Sequence, residues 1–413
     1  MSPRGESVEG STADDAAAPD PDAWAGIGEV APRPGEDLEP LLAWLRTGTP
    51  TGERLEFPAG TALPDGRLDL CKQQLGPQGA ARVAAALPRV GPDAEAPVRH
   101  LLLGTDGLGD EGAQAVAEGV GERGVRTLYL GCNKITAGGA CRIATQLRAS
   151  PQAVRALWLK RNPLGAGAGG AAVADLVDAA PLLRTLDLVQ TGLGPQDAAE
   201  VAGALLAATG TGRAFERLYI GGNPLGPTGV EPLARLITAG AVEELYVSAA
   251  GLGSLGALVL ADALDAAPHG RLRRLSVASN GIGPRAAARL LASAAAAGVS
   301  GLDFGRVRAA GALGAADNRL DLDAAAAMGT ALATREHRLS HVVLADCGLR
   351  SREALSLLTH LGDAAERTRF QLGKGIAASV RGRFARLAEA VAEPSPAADV
   401  AAIRSVYRTA SES

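Results

Sequence analysis

Hydrophobic positions recur along this chain in two alternating kinds of block. Between residues 125 and 147 they first alternate with period two, at Leu128 and Leu130, and then return at helical spacing, at Ile143, Ala144 and Leu147. Alternation puts Leu128 and Leu130 on one face of a strand and Tyr129 on the other. The second spacing predicts a helix over 138–147 with one apolar stripe. A polar residue, Asn133, and a further apolar anchor, Ile135, separate the two. The unit reads L-x-x-L-x-L-x-x-N-x-L followed by a Gly- and Ala-rich helix. One strand and one helix cannot bury their apolar faces alone, whereas stacked copies share a continuous core.

The unit repeats. Aligned on the last residue of L-x-L, copies fall at Leu70, Leu103, Leu130, Leu159, Leu188, Ile220, Val247, Val277, Phe304, Leu344 and Leu372, at intervals of 33, 27, 29, 29, 32, 27, 30, 27, 40 and 28 residues. The polar column reads Asn133, Asn162, Asn223, Asn280 and Asn318, with Gln73, Asp106, Thr191, Ala250 and Cys347 in the other copies. A buried amide there can bond the open backbone groups where each strand turns toward its helix, which is a structural role. The 40-residue interval becomes ordinary if residues 305–316 are an insertion that bulges from the rim after the ninth strand.

These strand blocks, with L-G-x-x-G-A helix openings such as Leu108-Gly109 to Gly112-Ala113, resemble the leucine-rich repeat superfamily, in particular the long-repeat subfamily of ribonuclease inhibitor and the Ran GTPase-activating protein. The resemblance covers residues 66–375. It implies an α/β horseshoe of 10–11 repeats, with a parallel sheet on the concave face and helices on the convex face, and protein binding as the generic task. Ribonuclease inhibitor is rich in Cys and this chain has four, so that protein's ligand does not carry over.

An array needs covered ends. Residues 37–65 read as an N-terminal cap: a helix over 38–45 with Asp37 as its cap, then a strand over 54–57. Residues 376–413 read as a helical C-terminal cap, with Ile376, Val380, Phe384, Leu387 and Val391 on one stripe and Val400, Ile403 and Val406 facing inward from a last helix over 397–409. Residues 1–36 read as a disordered acidic tail. Ten acids and two Arg precede residue 40, a net of −8 against −4 for the whole chain.

Composition narrows the setting. The chain is 47% hydrophobic but 3% aromatic, so Leu, Val and Ala must fill the core. Four Lys against 37 Arg, with 53 Gly, fit a high-GC bacterial genome. Cys71, Cys132, Cys141 and Cys347 form no C-x-x-C pair and suggest neither disulfide framework nor zinc site. The N-terminus lacks the apolar core of a secretory signal, and no run is apolar enough for a membrane span, which predicts a cytoplasmic protein.

Three segments match G-x-G-x-x-G, at 107–112, 165–170 and 251–256. All sit at one phase of the repeat, where glycine serves the turn, rather than at a single dinucleotide site. His337 and His341 enter a strand and are not H-E-x-x-H. No Ser-His-Asp set can be assembled, and nothing implies a metal or cofactor. The six basic residues within 367–388 read as a solvated helix face without the aromatic interleaving of a nucleic-acid surface. The sequence thus predicts a protein that is not an enzyme.

The middle residue of L-x-L faces the concave surface of such a horseshoe. That column reads Asp69, Leu102, Tyr129, Trp158, Asp187, Tyr219, Tyr246, Ser276, Asp303, Val343 and Gln371. It holds three of the four Tyr and one of the three Trp. An outward column does not need such rings for the core, and clustered exposed aromatics mark binding sites. Tyr129, Trp158, Asp187, Tyr219 and Tyr246, edged by Lys160, Arg217 and Arg274, are therefore the candidate protein-binding residues. Neighbouring Arg161, Gln190 and Glu244 share the edge. The alternative is regulation of an enzyme such as a GTPase, through rim residues Arg306 and Arg308 and the 305–316 insertion.

Overall fold

The computed structural model describes residues 28–91, 95–334, 336–362, 367–389, 391–392 and 395–407. Among them runs one 13-stranded sheet in chain order. The strands are β1 (Leu55–Phe57), β2 (Gly60–Ala62), β3 (Arg67–Asp69), β4 (His100–Leu102), β5 (Thr127–Tyr129), β6 (Ala156–Trp158), β7 (Thr185–Asp187), β8 (Phe215–Tyr219), β9 (Val242–Tyr246), β10 (Arg274–Ser276), β11 (Gly301–Asp303), β12 (His341–Leu344) and β13 (Arg369–Leu372). The first three pair antiparallel, and β3 to β13 pair parallel. Helices follow the repeat strands and stack on one side. Helices pack about 8–10 Å apart and strands about 4.8 Å apart, so the array bends with the sheet inside.

Register follows the apolar column. Leu68, Leu101, Leu128, Leu157, Leu186, Leu218, Leu245, Leu275 and Leu302 pair in succession and are buried against the helices. Slipping one strand by a residue would turn its Leu away from that core.

The polar column is a ladder of side-chain amides. Asn162 Oδ1 accepts from the Asn133 and Ile135 amides at 2.9 and 3.0 Å, and its Nδ2 donates to the Leu130 and Leu159 carbonyls at 3.0 and 2.8 Å. Asn133, Asn223, Asn280 and Asn318 do the same one repeat apart. The ladder is needed because the turn is tight. Cys132 and Lys134, on either side of Asn133, have φ of 61° and 59°, a left-handed conformation that costs energy for residues with a Cβ. Glycines of two of the G-x-G-x-x-G segments serve this same turn: Gly107 and Gly109 have φ of +68° and +57°, and Gly251 and Gly253 +69° and +61°.

Asp106 is the misfit of the ladder. One carboxylate oxygen accepts from Gln73 N at 2.7 Å and the other is buried without a partner. Burial pushes its carboxyl up to about 8, which favours the protonated form at neutral pH.

The N-terminal block packs against the array, with departures from the expected pattern. The helix Glu39–Thr47 buries Leu41, Leu42 and Leu45, and Trp44 meets Phe57 with ring centroids 5.7 Å apart. Asp37 does not cap it; a 3-10 turn, Gly35–Leu38, precedes it with Pro34 at its start. Residues 28–36, assigned from sequence to the tail, lie against the body: Arg33 N donates to the Gln74 carbonyl at 2.8 Å and Arg82 Nη1 to that of Gly35 at 2.9 Å. Residues 1–27 lie outside the described residues. Residues 305–316 follow β11 and are fastened back to the neighbouring repeat. The Val307 amide donates to Ser279 Oγ at 2.9 Å, Arg306 pairs with Asp317 at 3.2 Å, and Asn318 resumes the ladder.

At the other end, the helix Ala378–Leu387 buries Val380 and Phe384, with Phe384 edge-on to Phe370 at 5.5 Å. The last predicted helix is a correction. It is one short helix, Ala398–Ala402, and it does not extend the cap. The segment turns back across the concave face, because its apolar and acidic side chains find partners there. Residues 408–413 lie outside the described residues.

Candidate functional site

The middle residues of the repeat strands lie side by side: Tyr129 by Trp158, Trp158 by Asp187, Asp187 by Tyr219, Tyr219 by Tyr246. The Trp158 and Tyr219 rings meet with centroids 5.3 Å apart, across Asp187. Tyr219 and Tyr246 stack at 4.3 Å with planes 12° apart. The Lys160 ammonium sits 5.7 Å from the Tyr129 ring centroid, within cation–π range. Burial pushes the Tyr219 and Tyr246 phenols up, with the neighbouring ring and Glu244 adding to Tyr219 and Glu244 to Tyr246. Both stay neutral and can donate. Tyr246 Oη donates to Glu244 Oε2 at 2.7 Å.

An inner face of parallel strands in one curved row, a helix behind each, and an amide ladder at every turn decide the architecture. The chain is a leucine-rich repeat solenoid. Among solved structures it is similar to a leucine-rich repeat protein, LegL7 from Legionella pneumophila, at 15% identity over 88% of this chain and 98% of that one, with a TM-score of 0.49. It is also similar to a chain of the yeast Rad7–Elc1 complex, at 12% identity over 74% of this chain and 75% of that one, with a TM-score of 0.40. No family model matches this solenoid, and no curated protein does.

Arg217 is the hub of the charged edge. Its guanidinium is 6% exposed and bonds Glu244 Oε2 at 3.2 Å, Glu216 Oε2 at 3.1 Å and Asp399 Oδ1 at 2.7 Å. Arg274 lies at the rim of this cluster, 4.0 Å from Glu244. Asp187 is buried beneath the rings and accepts from the Val189 amide at 2.9 Å. The predicted residues from Trp158 to Arg274 are thus one continuous strip, with Tyr129 and Lys160 at its end.

The prediction of an exposed strip is corrected. Tyr129 is 3% and Trp158 4% exposed, because residues 398–407 lie over them. Ile403 packs among Leu102, Tyr129 and Trp158, and Val400 packs beside it. Asp399 accepts from Thr185 Oγ1 at 2.6 Å as well as from Arg217. Further along, Arg67 Nη1 donates to the Arg404 carbonyl at 2.7 Å, and the Val406 amide donates to Asp69 Oδ2 at 2.6 Å. Tyr407 Oη meets Thr61 Oγ1 at 2.6 Å. Before the helix, the Val391 carbonyl accepts from Arg369 at 2.8 Å and the Ala392 carbonyl from His341 Nε2 at 2.9 Å. The segment therefore crosses from β13 to β2.

Sequence reading found the apolar pattern of Val400, Ile403 and Val406 but not its destination. Asp399 and Tyr407, polar handles of no use to a capping helix, were the available signal. A second feature was also missed. Arg99, Arg126, Arg155 and Arg184 precede four consecutive strands and form a row beside the strip. It was legible as a column spaced by 27, 29 and 29 residues.

His341 bonds Ser340 through Nδ1 at 2.9 Å and the Ala392 carbonyl through Nε2. Among the described residues no group of three or more His, Cys, Asp or Glu could hold a metal ion, and no helix is long and apolar enough to cross a membrane.

Proposed function

We propose that this chain is a non-enzymatic, cytoplasmic scaffold that binds a protein partner through the inner face of its repeat array. The observation that carries the reading is a polypeptide segment, residues 398–407, already gripped there by rings, carboxylate and guanidinium. Tyr129, Trp158, Tyr219 and Tyr246 supply large apolar area with little entropy to lose. Asp187, Lys160, Arg217 and Arg274 supply charge and orientation. A partner using the strip would bury on the order of 1,200–2,000 Å². The alternative, enzyme regulation through Arg306, Arg308 and the insertion, has no comparable support: the loop is tied to the neighbouring repeat and Arg306 is paired.

The test is affinity capture from the native host with full-length protein. Trp158→Ala with Tyr219→Ala should reduce recovery of the partner at least tenfold while far-UV circular dichroism keeps its amplitude. Undiminished recovery rejects the inner face as the binding surface.

A further inference from the structure

Resting on that reading, we infer that the covered strip and the arginine row beside it form one docking surface for an acidic, aliphatic segment of a partner protein, and that residues 398–407 hold its place in cis. Four observations support this. The resident segment names the chemistry: an acid for Arg217 and Thr185, aliphatic side chains one and four positions later for the Trp158–Tyr129 hollow, then an extended stretch whose amide meets Asp69.

The resident segment is also an incomplete match. Trp158 is 4% exposed, yet its Nε1 is buried without an acceptor. An unmet buried donor costs about 1–3 kcal/mol. A partner that offers an acceptor at that point removes the penalty, and the cis segment does not.

The third observation is charge left over. A cleft of about 400 Å³ is lined by Arg126, Arg155, Arg184, Glu216, Arg217 and Asp399 among others. Glu216 lies 3.9 Å from Arg184 and 3.1 Å from Arg217. Neighbouring strands stand about 4.8 Å apart, so Arg126 and Arg155 add positive charge beyond what Glu216 and Asp399 meet. Ala398 faces the same cleft without a charge. A partner with a second acid one residue earlier would engage the row.

Fourth, the cis segment depends on the groove for its shape. Its helix is five residues, Ala398–Ala402, well below the length that holds together in water. It stays in place because it is tethered, at an effective concentration of order millimolar, and a tethered weak ligand is one that a stronger partner displaces.

The experiment uses full-length protein and a fluorescein-labelled synthetic peptide with the sequence of residues 396–409, read by fluorescence anisotropy. Asp399→Lys with Ile403→Asp loosens the cis segment. This variant should bind the peptide at least tenfold more tightly than wild type does. A peptide carrying Ala398→Glu should bind it about fivefold more tightly still, and Arg155→Ala with Arg184→Ala in the protein should abolish that gain. No difference between loosened variant and wild type overturns the cis occupancy. No gain from Ala398→Glu overturns the role of the arginine row. If the loosened variant does not fold, the milder Ile403→Ala should still improve peptide binding and raise Trp158 exposure to acrylamide quenching; neither change would overturn the proposal. A wild-type dimer in sedimentation that the loosening substitutions make monomeric would identify the occupant as a second copy's segment, also overturning it. Peptide binding as expected, with no loss of host-partner recovery in the Trp158/Tyr219 variant, would sink the scaffold reading while leaving the docking chemistry standing.

Discussion

The two halves of the inner face share one backbone and differ in what covers them. From β3 to β8 the middle column is mostly apolar and lies under residues 398–407. From β9 to β12 it mixes polar and apolar residues and is edged by Val391 and Ala392, leaving open a cavity of about 440 Å³ lined by Tyr246, Ser276, Asp303, His341 and Val343 among others. There the side chains satisfy one another: Ser248 Oγ meets Ser276 Oγ at 2.7 Å, and Ser276 Oγ donates to Asp303 Oδ2 at 2.8 Å. Strand register is identical in both halves. The difference shows that one exposed residue per strand, not the course of the chain, decides whether a solenoid face is sticky or self-contained.

The largest test of that contrast is Arg217→Ala, which removes the hub of the covered half and leaves Glu244 and Asp399 facing each other. It should destabilise by about 2–3 kcal/mol in urea unfolding, less than for a wholly buried pair because Asp399 keeps 20% exposure, and should free residues 398–407 to trypsin at Arg404. Unchanged cleavage would detach the segment's hold from Arg217.

Asp106→Asn separates array stability from face coverage. Its folded-state carboxyl is pushed up to about 8 by burial, against about 3.9 in the unfolded chain. The folded state holds an extra proton between those values, so wild-type stability falls as pH rises from about 4 to about 8. Asparagine lacks this slope and restores the ladder amide. The variant should gain about 1 kcal/mol or more at pH 8 and much less at pH 4, with tryptic release at Arg404 unaltered. A thermal shift independent of pH would contradict the protonated carboxyl.

In the open half, Ser276→Ala should cost about 1 kcal/mol, and it removes a donor that helps hold the Asp303 carboxyl down, so that group should titrate higher still by NMR. His100, at the margin of the covered half, gives a smaller effect of defined sign. Burial pushes its imidazole down to about 4, below the unfolded value near 6.5. The stability it contributes is present above pH 6.5 and is lost as pH falls toward 4. His100→Gln should flatten that limb of the pH–melting curve. Least of all, Leu255→Glu, on the outer helices at 68% exposure, should stay within about 0.5 kcal/mol of wild type.

The array was legible because its signals are local and repeated. The period-two Leu pairs, the Asn column and the helical stripes each reappear every few tens of residues, so Leu128 and Asn162 are read against many copies of themselves. The concave column was legible for the same reason, although the stacking of Tyr219 on Tyr246 was not read from it. The path of residues 398–407 was not, since Ile403 has no second copy and its partners lie more than two hundred residues earlier. Periodicity tells that an apolar face must be buried and is silent on which surface buries it. Asp399 against Arg217 is a single long-range pairing of that kind.

Between its bonds at His341 and Asp69, the returning chain advances from Ala392 to Val406. The two anchors stand nine strand spacings apart on the sheet, about 43 Å at about 4.8 Å each, and the returning segment spans them like a string on its stave. Inserting one repeat between them would push the anchor points apart by a further strand width, about 4.8 Å. Array length and the length of the returning segment are therefore coupled, and a duplicated repeat calls for a matching extension of the string if both ends are to stay tied.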